Sequence, residues 1–215
     1  MYINIHSHHQ ATENQFVMQN LINPFDENQE KGYYSAGLHP WHIDAGTWQQ
    51  HFAQLKKISK ARKVVAIGEC GLDKICSTDF ILQKEVFLAQ LVWANEIKKP
   101  LIIHCVRAYD EILLLLKMNN NKIPVIFHGY NRNVYLAKKI LDAGHWISFG
   151  KALIQSKLDE VFFSIPGDRY FLETDDSAIS IEQVYRAATA IKNISSDTLD
   201  LQLRKNVEKV FNIKL

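Results

Sequence analysis

Cysteine is scarce in this chain: Cys70, Cys76 and Cys105 are its only three, odd in number and unpatterned in spacing. That argues against a disulfide framework and leads us to expect a reducing, cytoplasmic setting. No apolar run is long enough to span a bilayer, so no membrane partner is expected. The first residues also lack the basic-then-apolar layout of a secretion signal. Charge of one sign is missing too. Lysine and arginine number 25 against 23 aspartates and glutamates, a net charge of +2. So small an excess announces neither a nucleic-acid nor a membrane partner, although a local patch can act alone. No repeat, low-complexity tract or linker interrupts the chain, and no obligate protein partner is evident. Its 215 residues are read as one domain, 1–215, large enough to bury a sizeable core.

What is present is a regular series of short apolar runs. They are YINIHS (2–7), FVMQNL (16–21), YYSAGLH (33–39), VVAIGE (64–69), LIIHC (101–105), VIFHG (125–129), WISFG (146–150) and YFLETD (170–175). Helical segments lie between the later ones. STDFILQKEVFLAQLVWANEIKK carries apolar residues at three- and four-residue spacing, with Ser77 or Thr78 as the expected N-cap. AYDEILLLLKM reads the same way, as does NVYLAKKILDAG, which Gly144 closes. SIEQVYRAATAIKN opens with a capping box, Ser180 with Gln183, and the last helix is DTLDLQLRKNVEKVFN. Strand followed by helix, repeated, predicts an α/β fold, a TIM-type (β/α)8 barrel. Only residues 9–15 separate the first two strands, where a parallel crossover normally takes a dozen or more. The barrel is therefore expected to be shortened or distorted near its start, with its first helix missing.

Polar residues gather where these strands end. His6 and His8 close the first, His39 the third, Glu69 the fourth, His104 the fifth, His128 the sixth and Asp175 the last. In a parallel barrel those ends share one face, where the chemistry of this architecture sits. Imidazoles and carboxylates crowded together are costly unless something compensates them, and a metal centre does so directly. Each residue alone has a plainer explanation: a hydrogen-bonded core histidine, a lysine partner for Glu69, a helix cap for Asp175. The His-x-His spacing shifts the balance, because side chains two apart on a strand point the same way and can share an ion.

The ordered motifs resemble the TatD-like metal-dependent deoxyribonuclease family, within the amidohydrolase-type barrels. IHSHH is similar to that family's opening His-x-His, SAGLHPW to its Gly-x-His-Pro element, and VVAIGECGLD to its Ile-Gly-Glu-x-Gly-Leu-Asp signature. PLIIHCVRAYDEIL, IFHGYNRNVYLAKKILDAGHWISFG, YFLETD and the tail LRKNVEKVFNI follow in the expected order. The resemblance implies two divalent ions. His6 and His8 would hold the first with Asp175, His104 and His128 the second, and Glu69 would bridge them. Four imidazoles and two carboxylates suit zinc, manganese, iron or nickel, and the resemblance adds magnesium. Asp73, Cys70 and Arg107 lie beside ligands as candidates for supporting or substrate contacts, with loop ion pair, strand filler and helix-start charge as the alternatives.

Several departures bear on substrate rather than metal. Asn4 stands where the family usually has Asp, the basic residue after His104 comes one place late as Arg107, and Trp41 replaces a frequent second histidine. The chain also runs from Asp175 almost directly into the helix at Ser180, where the family usually carries a long loop with proline and basic residues. The reaction implied is hydrolysis of a phosphodiester, with DNA as the partner, Asp175 as general base and His39 meeting a substrate oxygen. Trp41 and Tyr130 are candidates for stacking on bases, and both could equally be packing residues. Hydrolysis of a small phosphoester, amide or lactone is the alternative, and a metal-stabilised binding module the third reading.

Overall fold

The computed structural model describes residues 1–10, 13–21 and 32–215. Eight strands form one sheet in chain order: β1 (Tyr2–Ser7), β2 (Gln15–Leu21), β3 (Tyr33–Ala36), β4 (Val64–Asp73), β5 (Leu101–Val106), β6 (Val125–Phe127), β7 (Trp146–Phe149) and β8 (Tyr170–Leu172). The helices are α1 (Trp48–Ile58), α2 (Phe80–Ile97), α3 (Tyr109–Met118), α4 (Val134–Asp142), α5 (Lys151–Ile154), α6 (Asp159–Ser164), α7 (Ile181–Lys192) and α8 (Ser196–Phe211). Parallel strands alternating with helices make this the expected α/β fold of the (β/α)8 type. Among the described residues no helix is long and apolar enough to cross a membrane. Two compact units are distinguished: Met1–Gln19 with Phe127–Leu215, and Asn20–Ile126.

In the first unit β1 pairs in parallel with β2, Tyr2 opposite Gln15, although only residues 8–14 connect them. No helix occurs among the described residues of that connection. The distance is within the chain's reach. Eight residue steps reach about 27 Å, whereas the return along β1 is about 17 Å. β8 lies on the other side of β1: the Thr174 and Asp175 amides donate to the His6 carbonyl at 3.3 and 3.0 Å, and the His8 amide donates to the Asp175 carbonyl at 3.1 Å. Aromatic rings fill the space behind these strands. Phe162 sits edge-on to Phe149 and Tyr170 at 5.0 and 4.7 Å, and Trp146 stacks on Phe171 at 5.2 Å. The Tyr185 hydroxyl of α7 accepts from the Ile3 amide at 2.8 Å, fixing the helix to β1.

The helix ends follow the sequence signals with one correction. Ser180 and Gln183 form the capping box of α7, Asn133 caps α4, and Gly144 adopts φ 84° just past that helix. The N-cap of α2 is Asp79, whose carboxylate accepts from the Leu82 amide at 2.9 Å, rather than Ser77 or Thr78. A carboxylate there also meets the helix dipole favourably, which a hydroxyl does not.

In the second unit β4 packs against β3 and β5 in parallel. Two glycines explain the close approach. A Cβ on Gly71 would come within 2.0 Å of the His104 carbonyl oxygen, and one on Gly68 within 2.6 Å of that of Ile102. Both have positive φ, 147° and 153°, which a side chain would oppose. The glycines of VVAIGECGLD therefore let β5 lie tightly against the strand that carries Glu69.

Candidate metal centre

Within the first unit, His6 and His8 extend from β1 and Asp175 follows β8. Each offers an atom within 4.8 Å of the others, and both imidazole Nε2 atoms lie 3.4 Å from Asp175 Oδ1. His6 is fully buried. The ring of His128, just past β6, lies 4.4 Å from that of His6, and its Nδ1 is 3.2 Å from Glu173 Oε1, which also accepts from the Gly129 amide. Burial pushes the Asp175 carboxyl up, but hydrogen bonds from His6 and His8 and the charge of His128 outweigh it. The group is held well below the usual carboxylate range and stays ionised at neutral pH.

The second unit builds another such group. His39, Glu69 and His104 offer atoms all within 4.8 Å of one another. Glu69 Oε1 lies 2.7 Å from His104 Nδ1 and 3.2 Å from His39 Nε2. His104 Nε2 is 3.2 Å from Asp73 Oδ2, an oxygen that also accepts from the Trp41 indole at 2.7 Å. Burial lowers the His39 pKa, and the neighbouring Glu69 offsets this only in part. With Nδ1 accepting from the Trp41 amide at 3.1 Å, the neutral ring carries its proton on Nε2, toward Glu69. At Asp73 burial raises the pKa, yet bonds from Trp41, the Ile75 amide and His104 leave it lowered. The chemistry of both groups, imidazole nitrogen mixed with carboxylate oxygen at close range, fits borderline divalent ions.

The sequence-predicted residues thus sort between the units. His6, His8, His128 and Asp175 fall in the first, and His39, Glu69, Asp73, His104 and Arg107 in the second. Arg107 is exposed and takes a left-handed backbone, φ 55°. Cys70 is fully buried with its thiol toward the Ile102 carbonyl, and burial pushes that thiol far above its ordinary pKa. It is therefore inert filling of the strand. Tyr130 is also fully buried, its hydroxyl donating to the Asn133 carbonyl at 2.6 Å, which settles it as packing.

Three supporting amides, Asn20, Gln83 and Gln90, went unnoticed in the sequence, and Asn4 was noted only as a departure from the family pattern. Asn4 donates to Thr174 Oγ1 and accepts from the Thr174 amide, next to Asp175. Asn20 accepts from the Glu69 amide at 2.9 Å and from the Ser35 hydroxyl. Gln90 of α2 grips both backbone groups of Leu38, beside His39, at 2.7 and 3.1 Å. Gln83, two turns earlier, grips both backbone groups of Asp73 at 2.8 and 3.0 Å. The seven-residue spacing that puts both glutamines on one helix face was the available signal. A cleft of about 1440 Å³ opens in the first unit beside Asp175 and Asp176, with Arg132, Lys151 and Lys157 along its sides.

A family model described as TatD related DNase matches residues 8–212. An uncharacterised metal-dependent hydrolase of Buchnera aphidicola is 30% identical over 197 residues, covering 83% of this chain and 74% of its own length. A Klebsiella pneumoniae protein named 3'-5' ssDNA/RNA exonuclease TatD is 34% identical over 66% of this chain and 56% of its own. For that protein and several other relatives the match spans only 56–60% of their length. Among solved structures, a TatD-family hydrolase of Entamoeba histolytica superposes with TM-score 0.76 at 17% identity, covering 98% of this chain and 97% of its own. The TatD homologue YJJV of Escherichia coli superposes at 0.75 with 24% identity, over 87% and 79%. At those identities the structures speak for the fold.

Proposed function

The chain belongs to the TatD-related DNase family of metal-dependent hydrolases, and from that premise we propose that it hydrolyses phosphodiester bonds of single-stranded nucleic acid. The observation that carries the proposal is the pair of donor groups, His6–His8–Asp175 and His39–Glu69–His104, each gathered within 4.8 Å. His6, His8 and Asp175 would hold one divalent ion, and Glu69 and His104 a second. By the sequence resemblance, His128 would serve as a further ligand. Such ions, when bound, lower the pKa of a water and neutralise charge building on a phosphoryl group.

The chain's own residues do the rest. Asp175, ionised at neutral pH, accepts a proton from the water as its oxygen bonds to phosphorus and the opposite P–O bond breaks. His39, with its lowered pKa, stays neutral and meets a phosphoryl oxygen. Asp73 holds His104 in its working orientation, and Arg107 contacts the strand's backbone. Single-stranded nucleic acid is chosen because the Klebsiella relative carries that substrate in its name. Cytoplasmic residence is proposed on the three free cysteines.

The test is cleavage of single-stranded DNA by the purified protein with zinc, manganese, iron, nickel or magnesium, beside chelated protein and the variants Glu69→Ala and His104→Ala. Metal-dependent cleavage that both substitutions reduce by two orders of magnitude or more is the expected result. Undiminished turnover by Glu69→Ala refutes it. Cleavage of a lactone or small phosphoester but not DNA would transfer the site to that substrate class.

A further inference from the structure

We propose that Trp41 is a binding subsite for a nucleobase of the substrate, a rigid aromatic platform beside His39 and His104. The inference rests on the nucleic-acid reading above and adds which residue takes a base.

Trp41 is 58% exposed, whereas Trp93 and Trp146 are 8% and 3% exposed. An indole left in water gains nothing from packing, and its surroundings distinguish it from a side chain simply displaced to the surface. The ring nitrogen donates at 2.7 Å to Asp73 Oδ2, and Asp73 is only 1% exposed. That carboxylate is itself immobilised. Its Oδ1 accepts from the Ile75 amide at 2.8 Å, and Gln83 grips its backbone. The Trp41 amide donates to His39 Nδ1 at 3.1 Å, so backbone and ring are both tied. A buried carboxylate engaged with an exposed indole makes sense when the ring's orientation matters.

The position is as telling as the anchoring. The indole lies edge-on to His39 at 5.0 Å and to His104 at 5.7 Å, two of the three donors of its unit's group. Lysine or arginine lies over the rings of Trp93 and Trp146. Among the described residues no cation is placed over Trp41. A planar, anchored and uncovered ring next to the reacting centre matches the π-face that every base presents, and such stacking is tolerant of sequence. The remaining aromatic candidate, Tyr130, is buried and unavailable.

The experiment compares Trp41→Leu and Trp41→Phe with the unsubstituted protein. Binding of a labelled oligothymidylate, and of an abasic strand with the same backbone, is followed by fluorescence anisotropy under chelation so that neither strand is cut. Trp41→Leu is expected to weaken oligothymidylate binding roughly tenfold more than abasic binding, the scale of one lost base stack. Trp41→Phe, which keeps a π-face but loses the Asp73 bond, is expected to fall between. Equal losses on the two strands, or none, overturn the inference while leaving the hydrolase reading intact. Failure of the unsubstituted protein to bind or cleave any strand overturns both.

Discussion

Replacing Gln90 by methionine keeps the length and nearly the volume of the side chain while deleting its amide. Gln90 is fully buried on α2, accepting from the Leu38 amide at 2.7 Å and donating to the Leu38 carbonyl at 3.1 Å. Leu38 is itself only 4% exposed, so neither backbone group regains a water freely. Leaving a buried donor or acceptor without its partner costs about 1–3 kcal/mol, and two together about 2–6 kcal/mol. The extra apolar contact of methionine offsets less than about 1 kcal/mol of that. Against a typical total of about 5–15 kcal/mol the loss is large and easily measured. Urea denaturation of the variant should show a lower midpoint with an unchanged slope. Because Leu38 precedes His39, which is placed on a phosphoryl oxygen, the same variant should also cleave single-stranded DNA more slowly. A stability loss below about 0.5 kcal/mol would refute the claim that this amide holds the strand end in place.

Other outcomes follow from the same structure. His145 is buried, and burial lowers its pKa from 6.5 to about 4. As pH falls below 6.5 the unfolded chain takes the proton first, so stability is unaffected above that value and declines between 6.5 and 4. About 2 kcal/mol should be lost by pH 5 relative to pH 7, and His145→Gln, compared by urea denaturation at the two pH values, should abolish that difference. Gly71→Ala places a Cβ 2.0 Å from the His104 carbonyl oxygen and should leave little soluble protein; expression at wild-type level would contradict the packing described. Asn206 is buried and donates to the Gly167 and Tyr170 carbonyls at 2.9 Å, so Asn206→Leu should cost about 2–4 kcal/mol in a denaturation experiment. Adding zinc or manganese to chelated protein at a hundredfold over Kd should stabilise it by about 2.7 kcal/mol, seen as a raised melting temperature, and His8→Ala should diminish the gain.

The strand series, the barrel class and the candidate donor residues were legible because each depends on local pattern. Alternation marks β1, and a strand-end histidine or carboxylate is visible as a break in an apolar run. Three helices escaped notice: α1, which buries only Leu55, and α5 and α6, which are four and six residues long. None presents a sustained apolar stripe, and short helices owe their stability to tertiary contacts rather than to propensity. His145 bears no signal in the sequence, yet it is 9% exposed beside Phe127. A single polar side chain carries no mark of its burial. Trp41 and Tyr130 looked alike in sequence, and only exposure, 58% against zero, separates platform from packing.

The amides were the least legible feature, and they explain how the donor groups stay in place. A site meant for cations must hold imidazoles and carboxylates close together before an ion arrives, and placing further charges around it would change its affinity and its pKa values. Amides avoid this. Gln83 and Gln90 each satisfy a backbone N–H and a backbone carbonyl with one side chain, which neither a carboxylate nor a lysine can do. Asn4 does the same kind of work, donating to the Thr174 hydroxyl and accepting from the Thr174 amide. An ionised aspartate there could only accept, and it would add a negative charge one residue from Asp175. The departure from the family pattern at Asn4 is therefore a change from a charged support to a neutral one. Asn4 thereby steadies the chain next to Asp175 without adding a charge of its own.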